Sequence, residues 1–137
     1  MADRVSEPEA LIYAMVTTSA ADREITSDEI LRMTSIVREL PAFQRFKQEW
    51  FADVAQTCGR HLAKAGGVER VLGIIKQSLP PHLRETAYVL AAEVALSDVV
   101  EHPDEEKFIA MLALALGLDK LTCAALERAA GARHRRV

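Results

Sequence analysis

Apolar residues recur along most of the chain at the three-to-four-residue spacing of helices that bury one face. This spacing first appears over residues 11–20 and appears again over residues 30–40. No stretch alternates strictly between apolar and polar residues, as a half-buried strand would. The pattern therefore predicts an all-α protein with about seven helices.

Capping and breaking residues set the predicted limits of the first two helices. Asp22 lies near the end of the first helix. Ser27 is expected to cap the second helix, with Asp28 and Glu29 in its positively polarised first turn. Pro41 ends that helix, because proline lacks an amide hydrogen and its ring clashes with the preceding turn.

The remainder of the chain divides in the same way. A long amphipathic segment over residues 43–67 ends at Gly66–Gly67, a helix stop. The basic residues 131–137, GARHRRV, form a tail that is expected to fray. Four further helices are predicted over residues 68–78, 82–97, 104–116 and 119–130.

The longest apolar run, FIAMLALALGL, covers residues 108–118. It is too short to cross a bilayer, which needs about 20 residues, so we expect no membrane insertion. Its apolar side chains point to more sides of the helix than a single face packed against a core would need. We therefore predict that it is the central helix of the domain. The alternative is that part of it forms an interface, and exposure of Met111 or Leu114 would favour that alternative.

Composition narrows the class of protein. A chain of 137 residues, 50% hydrophobic and 27% charged, fits one soluble domain over residues 1–137. A formal net charge of −3 gives no general attraction for nucleic acid, so no nucleic-acid partner is expected. The start of the chain lacks the apolar run of a secretory signal. Cys58 and Cys123 lack a metal-type spacing, so reduced thiols in a cytoplasmic protein are expected.

One acidic helix corner occurs twice. Shifting the chain by 76 positions places Asp22 on Asp98 and Glu29 on Glu105. Each unit then consists of a helix, an aspartate, a short turn and a helix that begins Asp–Glu. The pattern predicts two similar helical hairpins, pseudo-repeats of each other over residues 9–41 and 85–117. If the hairpins pack together, the four carboxylates approach one another, as carboxylates do in the cores of diiron bundles.

The sequences around these corners, AADREITSDE and LSDVVEHPDEEKF, resemble the TerB tellurite-resistance family over about residues 9–118. The resemblance implies an all-helical TerB-like bundle with an acidic corner in each half. Related domains occur in a DnaJ-type membrane-anchored co-chaperone. The family usually has glycine directly after each aspartate, where this chain has Arg23 and Val99. Its acidic positions, which the resemblance implies bind a metal ion, fall on Asp22, Glu29, Asp98 and Glu105.

Two interpretations of these carboxylates remain open. Hard oxygen ligands suit a divalent cation, Ca²⁺, Mg²⁺ or Mn²⁺. An EF-hand is excluded by spacing, because Ser27 and Pro103 stand where that loop requires glycine. A cation site would have to be assembled across the two corners. In the second interpretation the acidic residues only complement the positive ends of their helices.

Two other polar positions lie within apolar helices. Glu93 is expected to reach the surface or to be held by a partner such as Ser97, and a buried glutamate there would be a site candidate. Cys58 and His61 are three residues apart, a spacing that allows soft-metal chemistry. No second cysteine or histidine lies close to them in sequence, so that hypothesis is weak.

The function expected from these patterns is that of a binding or scaffold module in a bacterial stress response of the tellurite-resistance type. Its acidic corners would bind a divalent cation or a basic segment of a protein partner, and homo-oligomers are a further expectation. The alternative is a metal-dependent enzyme that uses the acidic cluster for hydrolytic or redox chemistry. The chain has no P-loop and no G-x-G-x-x-G, G-x-S-x-G or H-E-x-x-H motif. A non-catalytic module is therefore favoured.

Overall fold

The computed structural model describes residues 4–20, 24–97 and 103–137. Within these ranges there are seven α-helices and no strands, so the all-α prediction is confirmed. Three short 3-10 turns cover Pro41–Phe43, Gln48–Trp50 and Pro81–Leu83. The helices are α1 Glu7–Ala20, α2 Ser27–Val37, α3 Phe51–Leu62, α4 Gly67–Ser78, α5 Arg84–Ser97, α6 Pro103–Leu116 and α7 Lys120–Arg133.

Helix α1 is the centre of the domain. Every residue from Ala10 to Ala20 is buried, and helices α3, α4, α5 and α6 pack around it. The sequence predicted a buried stripe on this helix, but a helix surrounded by neighbours is buried on all faces. Its polar residues Thr17, Thr18 and Ser19 are therefore interior.

The prediction that the run of residues 108–118 forms the central helix is wrong. Helix α6 buries Phe108, Leu112 and Leu116 against the core, but Leu114 is 84% exposed. Four neighbours already surround α1, so α6 packs at the periphery and one of its faces remains at the surface. The alternative that this face is an interface stays a prediction.

Helix α2 begins one residue earlier than the sequence indicated. Thr26, not Ser27, is the N-cap: its backbone is extended, and its hydroxyl accepts a hydrogen bond from the Glu29 amide at 3.2 Å. The Glu29 carboxylate accepts from the Thr26 amide in return, at 3.0 Å. Ser27 could not make this reciprocal pair, because the capping box requires the glutamate three residues after the cap.

The long amphipathic segment predicted over residues 43–67 is broken. Two 3-10 turns precede α3, which spans only Phe51–Leu62. Phe46 packs edge-on against Phe43 and Trp50, with ring centroids 5.8 Å and 5.6 Å apart. Edge-to-face aromatic pairs stabilise such compact turns, which explains why the helical spacing did not yield one continuous helix.

The glycine pair that was predicted to stop a helix also starts the next one. Gly66 has a left-handed φ of 70° and is the N-cap of α4, and Gly67 is its first residue. A Cβ at Gly67 would lie 2.5 Å from the carbonyl oxygen of His61. The two glycines therefore allow α4 to fold back closely on the end of α3.

Helix α7 is longer than predicted. Asp119 caps it by accepting a hydrogen bond from the Thr122 amide at 2.7 Å, and the helix continues to Arg133. Residues 131–133, assigned to the frayed tail, are therefore its last turn. Among the residues that the structure describes, no helix has the length and apolar character needed to cross a membrane.

Candidate functional site

The structure describes half of the predicted acidic site. Glu29 and Glu105 are described, and each is only 5% exposed. Asp22 and Asp98 lie outside the described residues. Burial of a carboxylate is costly unless hydrogen bonds or opposite charge compensate it. The two glutamates are therefore the part of the site whose environment can be examined.

Glu29 is held at the junction between α1 and α2. One carboxylate oxygen accepts from the Thr26 amide, and the other accepts a short hydrogen bond from the Ser19 hydroxyl. Ser19 lies at the end of α1, so the carboxylate ties the two helices together. Its position in the first turn of α2 also places it where the helix dipole favours a negative charge. This geometry supports the capping interpretation for Glu29.

Glu105 occupies the corresponding position in the second corner. It is the third residue of α6, as Glu29 is the third residue of α2, and it is buried to the same extent. Under the shift of 76 positions the counterpart of Ser19 is Ala95, which has no hydroxyl. The two corners thus share a buried glutamate but differ in the side chain available to bind it.

A hydrogen bond connects the two corners. Arg32, one turn after Glu29 on α2, donates from Nη1 to the carbonyl oxygen of Ser97 at 3.2 Å. Ser97 is the last residue of α5 and directly precedes Asp98 in the chain. The helix that follows the first corner therefore lies beside the end of the helix that precedes the second. Both corners belong to the same end of the domain, here called the acidic end.

No group of three or more His, Cys, Asp or Glu side chains suited to a metal ion occurs within residues 4–20, 24–97 and 103–137. Two of the four predicted ligands, Asp22 and Asp98, are outside these ranges. The four-carboxylate site therefore stays a prediction. The predicted pseudo-repeat of residues 9–41 and 85–117 also stays a prediction, although each half contains two successive helices at the expected places.

Glu93 has partners that sequence analysis did not identify. Its carboxylate, 6% exposed, forms an ion pair with Arg133 and lies 3.3 Å from Nε2 of His134. Ser97, the partner suggested from sequence, instead donates to the carbonyl oxygen of Val94. The signal was the basic run at the end of the chain, but pairing across 40 residues cannot be assigned without the tertiary structure.

The Cys58 thiol is a core group. It is fully buried, lies 3.6 Å from the Thr17 hydroxyl, and burial raises its pKa to about 12 despite that hydrogen bond. A thiol at this pKa is almost entirely protonated at neutral pH and is a poor nucleophile or metal ligand. His61 accepts a hydrogen bond from Arg70 and packs near Tyr13. The structure therefore gives the soft-metal hypothesis no support.

Comparison with known protein families gives a match over most of the chain. A family model described as tellurite resistance protein TerB matches residues 8–128, nearly the whole chain. No curated protein and no solved structure matches the chain significantly. The matched segment includes both acidic corners and all seven helices apart from the first and last few residues.

Proposed function

Because the chain belongs to the TerB tellurite-resistance family, as its acidic corners predicted, we propose that it is a non-catalytic binding module of a bacterial stress response. Its ligand is a divalent cation or a basic segment of a protein partner, bound at the acidic end. The observation that carries this proposal is the pair of buried glutamates, Glu29 and Glu105, at matching positions of α2 and α6.

Charge and position support a cationic ligand. Two aspartates, Asp22 and Asp98, flank the buried glutamates in sequence, and each corner also carries an aspartate directly before its glutamate. The Arg32–Ser97 hydrogen bond keeps the corners at one end of the domain. Carboxylates held close together repel one another, so a bound cation stabilises the fold by mass action.

The test is a titration with Ca²⁺ and Mg²⁺, followed by thermal melting and by backbone NMR shifts. In the wild type, millimolar cation should raise the melting temperature and shift the amides of both corners. The double variant Asp22→Asn/Asp98→Asn should fold but should lose this response. A second titration with an oligolysine peptide tests the basic-segment form of the proposal by the same NMR shifts.

The matched control is Glu49→Gln/Glu69→Gln, which removes two exposed carboxylates far from both corners in sequence. It should retain the full response. If the response came only from general charge screening, either double variant would weaken it equally. If neither the cations nor the peptide produces saturable shifts at the corners, the proposal is wrong. Equal loss of response in both double variants would contradict it as well.

A further inference from the structure

A cleft of about 660 Å³ opens at the end of the domain opposite the acidic corners. Helices α1 and α5 both begin beside it, since Glu7 and Arg84 are their first residues and both line the cleft. Each of these helices has 14 residues, so the cleft lies about 20 Å from the acidic end. The last turns of α4 form another wall.

The charge of this cleft is strongly positive. Among the described residues, its lining contains Arg4, Lys76 and Arg84 and one carboxylate, that of Glu7, so these residues carry two net positive charges. None of these three cationic side chains forms an ion pair with another described residue. The chain as a whole has a net charge of −3. The charge of the described lining is therefore opposite in sign to that of the whole chain.

Arg84 is the cation of the cleft whose guanidinium is fixed in place. Its Nη1 donates to the carbonyl oxygen of Leu116 at 3.3 Å, which fixes the guanidinium against the end of α6. Its buried Nε has no hydrogen-bond acceptor within the described parts of the chain. A buried donor without an acceptor costs about 1–3 kcal/mol. An anion bound to this guanidinium would compensate the desolvated positive charge.

The size and lining of the cleft indicate the class of ligand. Sites of about 300–1,000 Å³ hold small organic molecules. Gly73 and Pro80 add apolar wall, and no described atom beyond the neighbouring residues and backbone of its own helix lies within 4 Å of the Cβ position at Gly73, so this wall is open. Two arginines and a lysine suit an oxyanion, and a phosphate monoester carries about the −2 charge that matches the net charge of the lining.

We propose that this cleft binds a phosphate-bearing small molecule, with Arg84 and Lys76 as its principal phosphate ligands and the open wall at Gly73 receiving its organic part. The N-terminal ends of α1 and α5 add favourable dipoles for the same charge. The N-terminal segment is positioned at the cleft by a hydrogen bond from the Val5 amide to the Ser78 hydroxyl, 3.0 Å long.

The probe is phenyl phosphate, compared with inorganic phosphate and with phenol, in NMR titrations of the full chain. Phenyl phosphate should shift the amides of Val5, Gly73 and Ser78 saturably in the millimolar range or below. Inorganic phosphate should bind more weakly and phenol should not bind. Failure of phenyl phosphate to give saturable shifts at these amides overturns the proposal, and so does binding no tighter than that of inorganic phosphate.

Three variants assign the binding to the cleft. Arg84→Gln should raise the Kd about ten-fold, the loss expected for one charged hydrogen-bonding partner. Lys76→Gln also removes one positive charge from the cleft, at an exposed residue. Unlike Arg84→Gln, it leaves the hydrogen bond to the carbonyl oxygen of Leu116 in place. Gly73→Leu fills the open wall and should abolish binding of phenyl phosphate.

Lys64→Gln is the matched control, since it removes one exposed lysine from the turn before α4 without touching the cleft. Its Kd should equal that of the wild type. If folded Lys76→Gln and Gly73→Leu variants bind as the wild type does, the cleft is not the site. An equal loss of affinity in Lys64→Gln would also overturn the proposal, because it would indicate only a general charge effect.

Discussion

The two acidic corners begin from the same pattern and acquire different surroundings. In the first, α1 is buried on every side and α2 packs mainly on α3, with Glu29 hydrogen-bonded to Ser19. In the second, α6 itself packs on α1, α4 and α5, and Ala95 stands at the position of Ser19. A repeated sequence pattern thus does not specify repeated packing, because each helix must fit a different set of neighbours.

A second difference lies two residues before Ser19 and Ala95. Thr17 of α1 and Glu93 of α5 correspond under the same shift of 76 positions, and both are buried. Thr17 lies beside the neutral thiol of Cys58, whereas Glu93 pairs with Arg133 at the end of α7. At this position the central helix is therefore held by a neutral contact, whereas α5 is held to α7 by an ion pair.

The largest expected effect is at Glu29. Glu29→Ala leaves the Ser19 hydroxyl and the Thr26 amide without their acceptor, and should lower the free energy of unfolding by about 3 kcal/mol. Glu29→Gln retains an acceptor oxygen for Thr26 and should cost less. Chemical denaturation measures both variants. A loss for Glu29→Ala no larger than that for the exposed control Glu69→Gln would contradict the role assigned to this carboxylate.

The next effect is at Glu93 of α5. Glu93→Ala should lower the free energy of unfolding by about 2 kcal/mol, since it removes charged hydrogen bonds and some packing. The last turn of α7 should also open, seen as faster amide hydrogen exchange over residues 130–134. Glu127→Ala is the control, because it removes the other glutamate that joins α7 to α5, through Tyr88. Unchanged exchange at the end of α7 in Glu93→Ala would show that the ion pair does not hold that turn.

The burial of the Cys58 thiol beside Thr17 predicts a response to alkaline pH. Burial raises the pKa of Cys58 from 9.0 to about 12, so between these values the unfolded chain loses a proton that the folded chain keeps. This contribution to stability is complete below pH 9 and declines above it by about 1.4 kcal/mol per pH unit. Cys58→Ala should show a shallower decline than the wild type when unfolding is measured across this range. Identical slopes would contradict the assignment of the thiol.

The smallest effect distinguishes the corners directly. Ser19→Ala makes the first corner match the second at this position and should cost about 1.5 kcal/mol, the lower value for one hydrogen bond to a charged group. In a Glu29→Ala background the same change should cost nearly nothing, because its acceptor is already absent. Ser97→Ala, at the end of α5, is the control. An additive double variant would show that Ser19 and Glu29 are not coupled.

The short-range features of this fold were predictable because they depend on neighbours in sequence. Helical spacing gave the number of helices, and the acidic corner identified the family. Errors arose where side-chain packing competes with the helical preference of the backbone. The aromatic contacts of Phe46 break a helical segment, and the exposed side of α6 depends on which helix occupies the centre.

The sequence by itself determined the helical class, the family and the places of Glu29 and Glu105 in the first turns of their helices, since periodicity and helix-start signals operate over a few residues. Only the tertiary structure decided that α1 is the centre and that Glu93 is bound by Arg133. It alone also brought Arg4, Lys76 and Arg84 together around one cleft. These residues are separated by up to 80 positions in the sequence, and no local rule relates them. The packing of α1, α4 and α5 places them around one cleft.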